Sequence, residues 1–265
     1  QSAAGPAYAP PPKSNTTLIV LLVVGGIGLL SCVIISLLIA ILLPALGTAR
    51  NTARKMTNSA NTRGIHQAFF TYAQGNKTAT SDGQYPGLDR FGKIASMSDW
   101  SGGTFSSAAT EGQSPAYRYT LVLNQCIFGP QTMLNPIDLQ DGTKTVAMPG
   151  TPITSANYSY NLLDLGSDGS GRRSEWAETV NAQAVIISER NVGPGNGGTQ
   201  AASVWSEDPG FWEGTLVFND GSAQFAVSSD AAMQIGATRY GGNPPNNTYE
   251  LFVDETNGND ALMIE

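Results

Sequence analysis

The residues best placed to do chemistry are a set of carboxylates. Asp164, Asp168, Gly169 and Glu175 stand at positions one, five, six and twelve of an EF-hand-like loop. Position three is Gly166, which offers no side-chain ligand, and position eight is Gly171, which offers no apolar anchor. Calcium is therefore the candidate cofactor, set against an ordinary Asx-Gly turn over the same residues. The other candidates are poorer. The single histidine, His66, falls in a helical stretch near the start of the chain, away from any distal nucleophile it could activate. One distal cysteine, Cys126, cannot supply the thiolates of a zinc site, and its only counterpart, Cys32, lies in an apolar run. The stretch Gly193-Pro194-Gly195-Asn196-Gly197-Gly198 has the spacing of a phosphate loop, but Pro194 and the lack of a following helix spoil the cradle. Glu207-Asp208 are adjacent, which does not place an acid and a base across a substrate. No catalytic constellation results, and neither an enzyme nor a small-molecule substrate is expected.

Everything else must be positioned by one element. From Thr16 to Ala49 the chain has no Asp, Glu, Lys, Arg or His. A bilayer core is about 30 Å thick and needs roughly 20 apolar residues, so this run can span one. Gly28, Cys32, Ser36 and Ala40 recur every fourth residue, and small residues at that spacing let a second helix approach closely. Pro44, next in the row, lacks an N–H and should kink or locally open the helix. Past it, Ala45, Ala49, Ala53, Met56 and Ala60 follow three- and four-residue steps. After a one-residue slip, Ile65, Phe69, Tyr72 and Ala73 carry the stripe on. Gly75-Asn76 is a helix stop. One helix over 16–75 is expected; its stretch from Thr17 to Gln74 would be about 85 Å long if unbroken.

The chain divides accordingly: a Pro/Ala-rich tail over 1–15, the helix over 16–75 and a distal domain over 76–265. Pro10-Pro11-Pro12 favours an extended tail. In the distal domain, 117–128, 157–165, 182–188, 215–218, 223–227 and 249–253 carry β-rich content. Asn219-Asp220-Gly221-Ser222 between two of these is a hairpin signal, and Ser229-Asp230 could cap a short helix over 231–235. The expected fold class is α+β: a long hydrophobic helix, then a mainly antiparallel β domain with long loops.

The segment Thr17-Leu18-Ile19-Val20-Leu21-Leu22-Val23-Val24 resembles the start of a type IV pilin or pseudopilin helix. The continuation Ala40-Ile41-Leu42-Leu43-Pro44-Ala45-Leu46, with Ala49-Arg50 and Ala53-Arg54, is similar to the pilin-like proteins of planctomycete-type bacteria. Gly83-Gln84-Tyr85-Pro86-Gly87 matches that family's turn after the helix, and Phe218-Asn219-Asp220-Gly221 resembles its Phe-x-Asp-Gly signature. Val20 stands where pilins carry a glutamate that pairs with a free amine, and Asn15-Thr16 precede the motif in place of the usual glycine. Gly210 occupies the place of the family's distal histidine. Leu165-Gly166-Ser167-Asp168-Gly169 also resembles a loop of major pseudopilins that bind calcium. The resemblance implies a fold with the same helix-then-sheet layout, and a subunit that sits in the membrane before assembly and polymerises with itself.

Composition narrows the partners. Charged residues are 13 % of the chain and the formal net charge is −7. Arg50, Arg54, Lys55 and Arg63 lie just after the apolar run, so the distal domain is more acidic still, which disfavours nucleic acid. Those cations, against Lys13 alone on the other side, would by the positive-inside rule keep the distal domain in the cytoplasm; the pilin resemblance puts it outside, and the outside reading is adopted. The expected function is a structural subunit of an extracellular pilus-like filament or tube. It would be a homopolymer packed through Gly28, Cys32, Ser36, Ala40 and Pro44. The alternative is a single-pass envelope protein whose distal domain binds a partner or glycan, using aromatics such as Trp176, Trp205, Phe211 and Trp212. Burial in the core is the competing use for those rings.

Overall fold

A computed structural model describes residues 15–77, 83–96, 103–109, 111–166, 173–178, 181–193, 202–206, 211–227, 251 and 263–264. Helix α1 runs from Thr16 to Gly75 as one element. Pro44 does not end it; Thr48 Oγ1 donates to the Pro44 carbonyl at 3.2 Å and the helix continues on both sides. The chain nevertheless forms two compact units, Gln1–Thr52 and Ala53–Glu265, divided inside the helix. The physical reason is burial: α1 is exposed over 19–53 and contributes its first buried residue at Asn58.

The second unit is built around a five-stranded antiparallel sheet. Its strands are β3 (Tyr160–Leu163), β4 (Val185–Glu189), β5 (Glu213–Phe218), β6 (Ala223–Val227) and β7 (Met263–Ile264), ordered β6-β5-β4-β3-β7. A separate parallel pair joins β1 (Ser106–Ser107) to β2 (Pro152–Ile153). The β5–β6 hairpin turns where the sequence signals it. Glu213 pairs with Val227 and Val217 with Ala223, and the turn closes with Gly221 in the left-handed region at φ +80°.

Among the described residues there are two α-helices besides α1, α2 (Pro115–Asn124) and α3 (Pro136–Asp141). Helix α2 corrects the β-rich reading of 117–128. Pro115 occupies its first turn, where the missing N–H costs nothing. Every residue from Pro115 to Leu123 is buried, so polar alternation, the cue that separates helix from strand, is absent. Strands β3 and β4 are shorter than, or offset from, the expected 157–165 and 182–188; Ser155–Asn157 is a 3₁₀ turn capped by Thr154. Leu251 lies in a turn, while the rest of 249–253, the segment 229–235 and the tail over 1–14 lie outside the described residues.

The slip in the apolar stripe of α1 has a structural meaning. Ala49, Ala53, Met56 and Ala60 remain exposed, while the buried row is Asn58, Thr62, Ile65, Phe69 and Ala73. The two stripes occupy different faces. The buried row starts on polar residues whose groups are satisfied. Asn58 Nδ2 donates to Thr215 Oγ1 at 2.8 Å, its Oδ1 accepts from Tyr160 OH at 2.7 Å, and Thr62 Oγ1 donates back to the Asn58 carbonyl. Below them sits an aromatic core. Trp176 lies 5.3 Å from Phe69 and 5.5 Å from Tyr85, centroid to centroid. The buried guanidinium of Arg118 stacks 4.8 Å over the Trp176 ring and donates to the carbonyls of Gly112, Gln113 and Leu163. Burial lowers its pKa to about 9, and the nearby Asp164 opposes the shift. Gly87 and Gly112 cross here so closely that a Cβ on Gly112 would lie 1.9 Å from the Gly87 carbonyl oxygen, so only glycine fits.

Candidate functional site

The apolar half of α1 is the feature of this molecule least accounted for by its own fold. Every large aliphatic side chain from Ile19 to Leu46 is between 49 % and 72 % exposed. Among the described residues this is one helix long and apolar enough to cross a membrane by length and composition, and its most apolar window has a mean hydropathy of 2.9 with none of it buried. A buried core helix is thereby excluded. Covering such a side chain is worth roughly 1.5–3 kcal/mol, so the whole surface carries a drive on the order of tens of kcal/mol toward lipid or protein.

The row Gly28, Cys32, Ser36, Ala40 and Pro44 lies on this surface. A Cβ added at Gly28 would meet nothing within 4 Å. Ser36 Oγ donates to the Cys32 carbonyl at 2.8 Å, so its hydroxyl is satisfied inside the helix. Positions four apart drift by 40° at each step. The row therefore winds around α1 as an oblique groove and is not a straight seam, and a helix seated along it would cross at an angle. Cys32 and Cys126 are both free and exposed.

Three of the cations after the run, Arg54, Lys55 and Arg63, are engaged within the second unit. Arg54 donates to Gln140 Oε1 and Arg63 to the Ala223 carbonyl at 3.3 Å. Lys55 pairs with Glu213 at 3.4 Å, with its ammonium 4.0 Å from the Phe225 ring centroid.

The patches that resemble the pilin-like family meet inside the second unit. Tyr85, from Gly83-Gln84-Tyr85-Pro86-Gly87, donates its hydroxyl to Asn219 Oδ1 at 2.8 Å, and Asn219 belongs to the β5–β6 turn. His66 Nε2 lies 3.2 Å from the Asn219 carbonyl and 3.4 Å from the Tyr85 hydroxyl. Asn219 Nδ2 donates to the carbonyls of Glu175 and Ala177. His66, expected outside the distal fold, is thus buried within it, because the last turns of α1 are core. Burial lowers its pKa, against the Asn219 hydrogen bond and the charge of Asp220, and the imidazole serves to tie helix, turn and hairpin together.

The carboxylate set has a different character. Asp164 Oδ1 accepts from the Gly166 N–H and from Gln113 Nε2, both at 3.0 Å, which is an Asx turn with a side-chain brace. Arg173 donates to the Leu165 and Gly166 carbonyls at 3.0 and 3.1 Å, so a guanidinium already holds the oxygens at the start of this loop. Glu175 is buried in the 3₁₀ turn Arg173–Glu175, and Asp168 lies outside the described residues, as do Glu207-Asp208 and residues 194–198. No group of three potential ligands occurs among the described residues. Trp176 and Trp212 are buried, and Trp205 and Phe211 are half-buried.

Sequence reasoning passed over one titratable residue. Glu189, 1 % exposed, accepts from Asn135 Nδ2, from Trp205 Nε1 on both oxygens at 2.7 Å, and from the Thr215 N–H at 2.8 Å. It thereby joins β4, β5, the start of α3 and the Trp205 segment. Burial pushes its carboxyl up to about 8 from an ordinary 4.5, against those hydrogen bonds. A raised folded-state value means that the contribution to stability is complete below about 4.5 and is lost as pH rises toward 8. The melting temperature of Glu189→Gln relative to the native chain should therefore climb across that window, by the equivalent of a few kcal/mol. A pH-independent difference between the two would show that Glu189 is ionised throughout. Its neighbour in sequence, Arg190, makes a two-point contact with the buried Asp138 at 2.7 and 3.2 Å.

Compared with protein-family models, curated proteins and solved structures, the chain matches none.

Proposed function

We propose that this chain is a pilin-like structural subunit, held in the membrane by its apolar helix before assembly. It then packs helix-to-helix with copies of itself in an extracellular filament or tube whose outside is formed by the sheet domain. The observation that carries the reading is the exposed aliphatic surface from Ile19 to Leu46, on a helix whose later turns belong to the core of a folded domain. A helix built into a folded domain brings that domain wherever its apolar half is buried, which is the requirement of a polymer subunit. The meeting of the Tyr85 and Asn219 patches supports the resemblance to pilin-like proteins.

The second reading is a single-pass envelope protein that never polymerises. The cations flanking the run favour it, since they suit a lipid interface. Engagement of Arg54, Lys55 and Arg63 with the sheet domain weakens that argument. Immunogold electron microscopy of sheared surface material, with antibody against the sheet domain, separates the two. Labelled fibres are the expected result. Labelling confined to membrane fragments, with a monomer after detergent extraction, would overturn the assembly reading.

A further inference from the structure

A cleft of about 170 Å³ opens beside the C-terminal end of α1, lined by Tyr72, Asn76, Gln84, Leu88, Asp89 and Arg90. We infer that this cleft binds a neutral saccharide unit, on the order of one pyranose ring, with Phe91 as an aromatic platform at its rim.

The lining is unlike a site for an apolar ligand, because among the described residues Leu88 is the one aliphatic side chain in it. Among the described lining residues the charges are one carboxylate and one guanidinium, so neither an anion nor a cation is favoured over a neutral molecule. What remains is a ring of hydrogen-bonding groups. The Tyr72 hydroxyl, the Gln84 amide, Asn76 Oδ1 and Asp89 Oδ2 make no hydrogen bond to the described chain, although Asn76 Nδ2 caps the Tyr72 carbonyl at 2.7 Å. Donors and acceptors of both kinds, on planar groups, suit vicinal hydroxyls.

The rim is built to hold its shape. Asp89 Oδ1 accepts from the N–H groups of Phe91 and Lys93 at 2.8 and 2.9 Å, the Asp89 N–H donates to the Lys93 carbonyl at 2.8 Å, and Leu88 bridges to Ile94. This turn presents Phe91, 71 % exposed, with the Arg90 guanidinium 4.7 Å from its centroid. The turn backbone that carries this exposed ring is held at four hydrogen-bonded or paired positions, and a preorganised support lowers the entropic cost of binding.

The test uses the full chain in a zwitterionic, sugar-free detergent, on the monomeric fraction isolated by gel filtration, so the outcome is independent of the filament reading. Saturation-transfer NMR is run with the methyl glycosides of glucose, galactose, mannose and N-acetylglucosamine. Transfer to at least one is expected, with Kd on the order of millimolar, as suits so small a polar ligand. Gln84→Ala and Phe91→Ala should each weaken it about tenfold at unchanged melting temperature. Asp89→Asn, which keeps the Oδ1 acceptor of the turn, should weaken it as well. Transfer to none of the four sugars, or transfer that survives Gln84→Ala, would overturn the inference.

Discussion

Ser36→Trp or Ala40→Trp should abolish fibre formation and leave the sheet domain folded. Both positions lie in the oblique groove of small residues, which is exposed at Ser36 and Ala40. At these exposed positions lipid or detergent accommodates an indole, so insertion and the unfolding of the second unit should be unaffected. In a polymer the same ring would stand between two helices that approach closely because their facing side chains are small. Overpacking a close contact costs about 1–3 kcal/mol, and in a filament the penalty recurs at every subunit. The readouts are sedimentation and electron microscopy for assembly, and circular dichroism for the domain. Fibres of normal length and number from either variant would show that this groove is not an assembly surface.

Trp176→Ala should lower stability by about 3–5 kcal/mol, as removal of a fully buried large aromatic does. For a domain of this size that corresponds to a fall in melting temperature of roughly 10 °C or more. Three losses add here. The cavity opens between Phe69 and Tyr85, the Arg118 guanidinium loses the ring beneath it, and the Pro86 carbonyl loses the indole N–H that reaches it at 2.8 Å. Trp176→Phe should restore much of the packing and still leave Pro86 without its donor, so its cost should fall between the native chain and the alanine variant. Thermal unfolding followed by near-ultraviolet circular dichroism checks both. A loss below about 1 kcal/mol for the alanine variant would mean that the Phe69–Tyr85–Trp176 cluster does not organise this core.

The helix, its limits and the β5–β6 hairpin were legible from residue types alone, because each depends on local rules. Absence of charge over 16–49, a glycine-asparagine stop and an Asp-Gly turn between apolar runs need no distant partner to take effect. Asn58 and Thr62 were missed because polar residues break an apolar stripe. Extending the spacing of Ile65, Phe69 and Ala73 backwards would have reached them. Helix α2 was misread because a segment buried on all sides has no period to read.

What the amino-acid order determined by itself is the class of the molecule: a charge-free helix followed by a sheet domain, with an apolar surface that water cannot cover cheaply. What tertiary structure alone decided is which residues meet. His66 entered the distal core, Tyr85 found Asn219 across more than a hundred residues of chain, and Glu189 became a buried junction of four segments. The carboxylates of the candidate calcium loop divide the same way: spacing suggested a ligand set, while the fold gave Asp164 to Gly166 and Gln113. The reason is physical. Helix and turn propensities act over a few residues, whereas desolvation makes each buried polar group seek a partner wherever the chain happens to bring one.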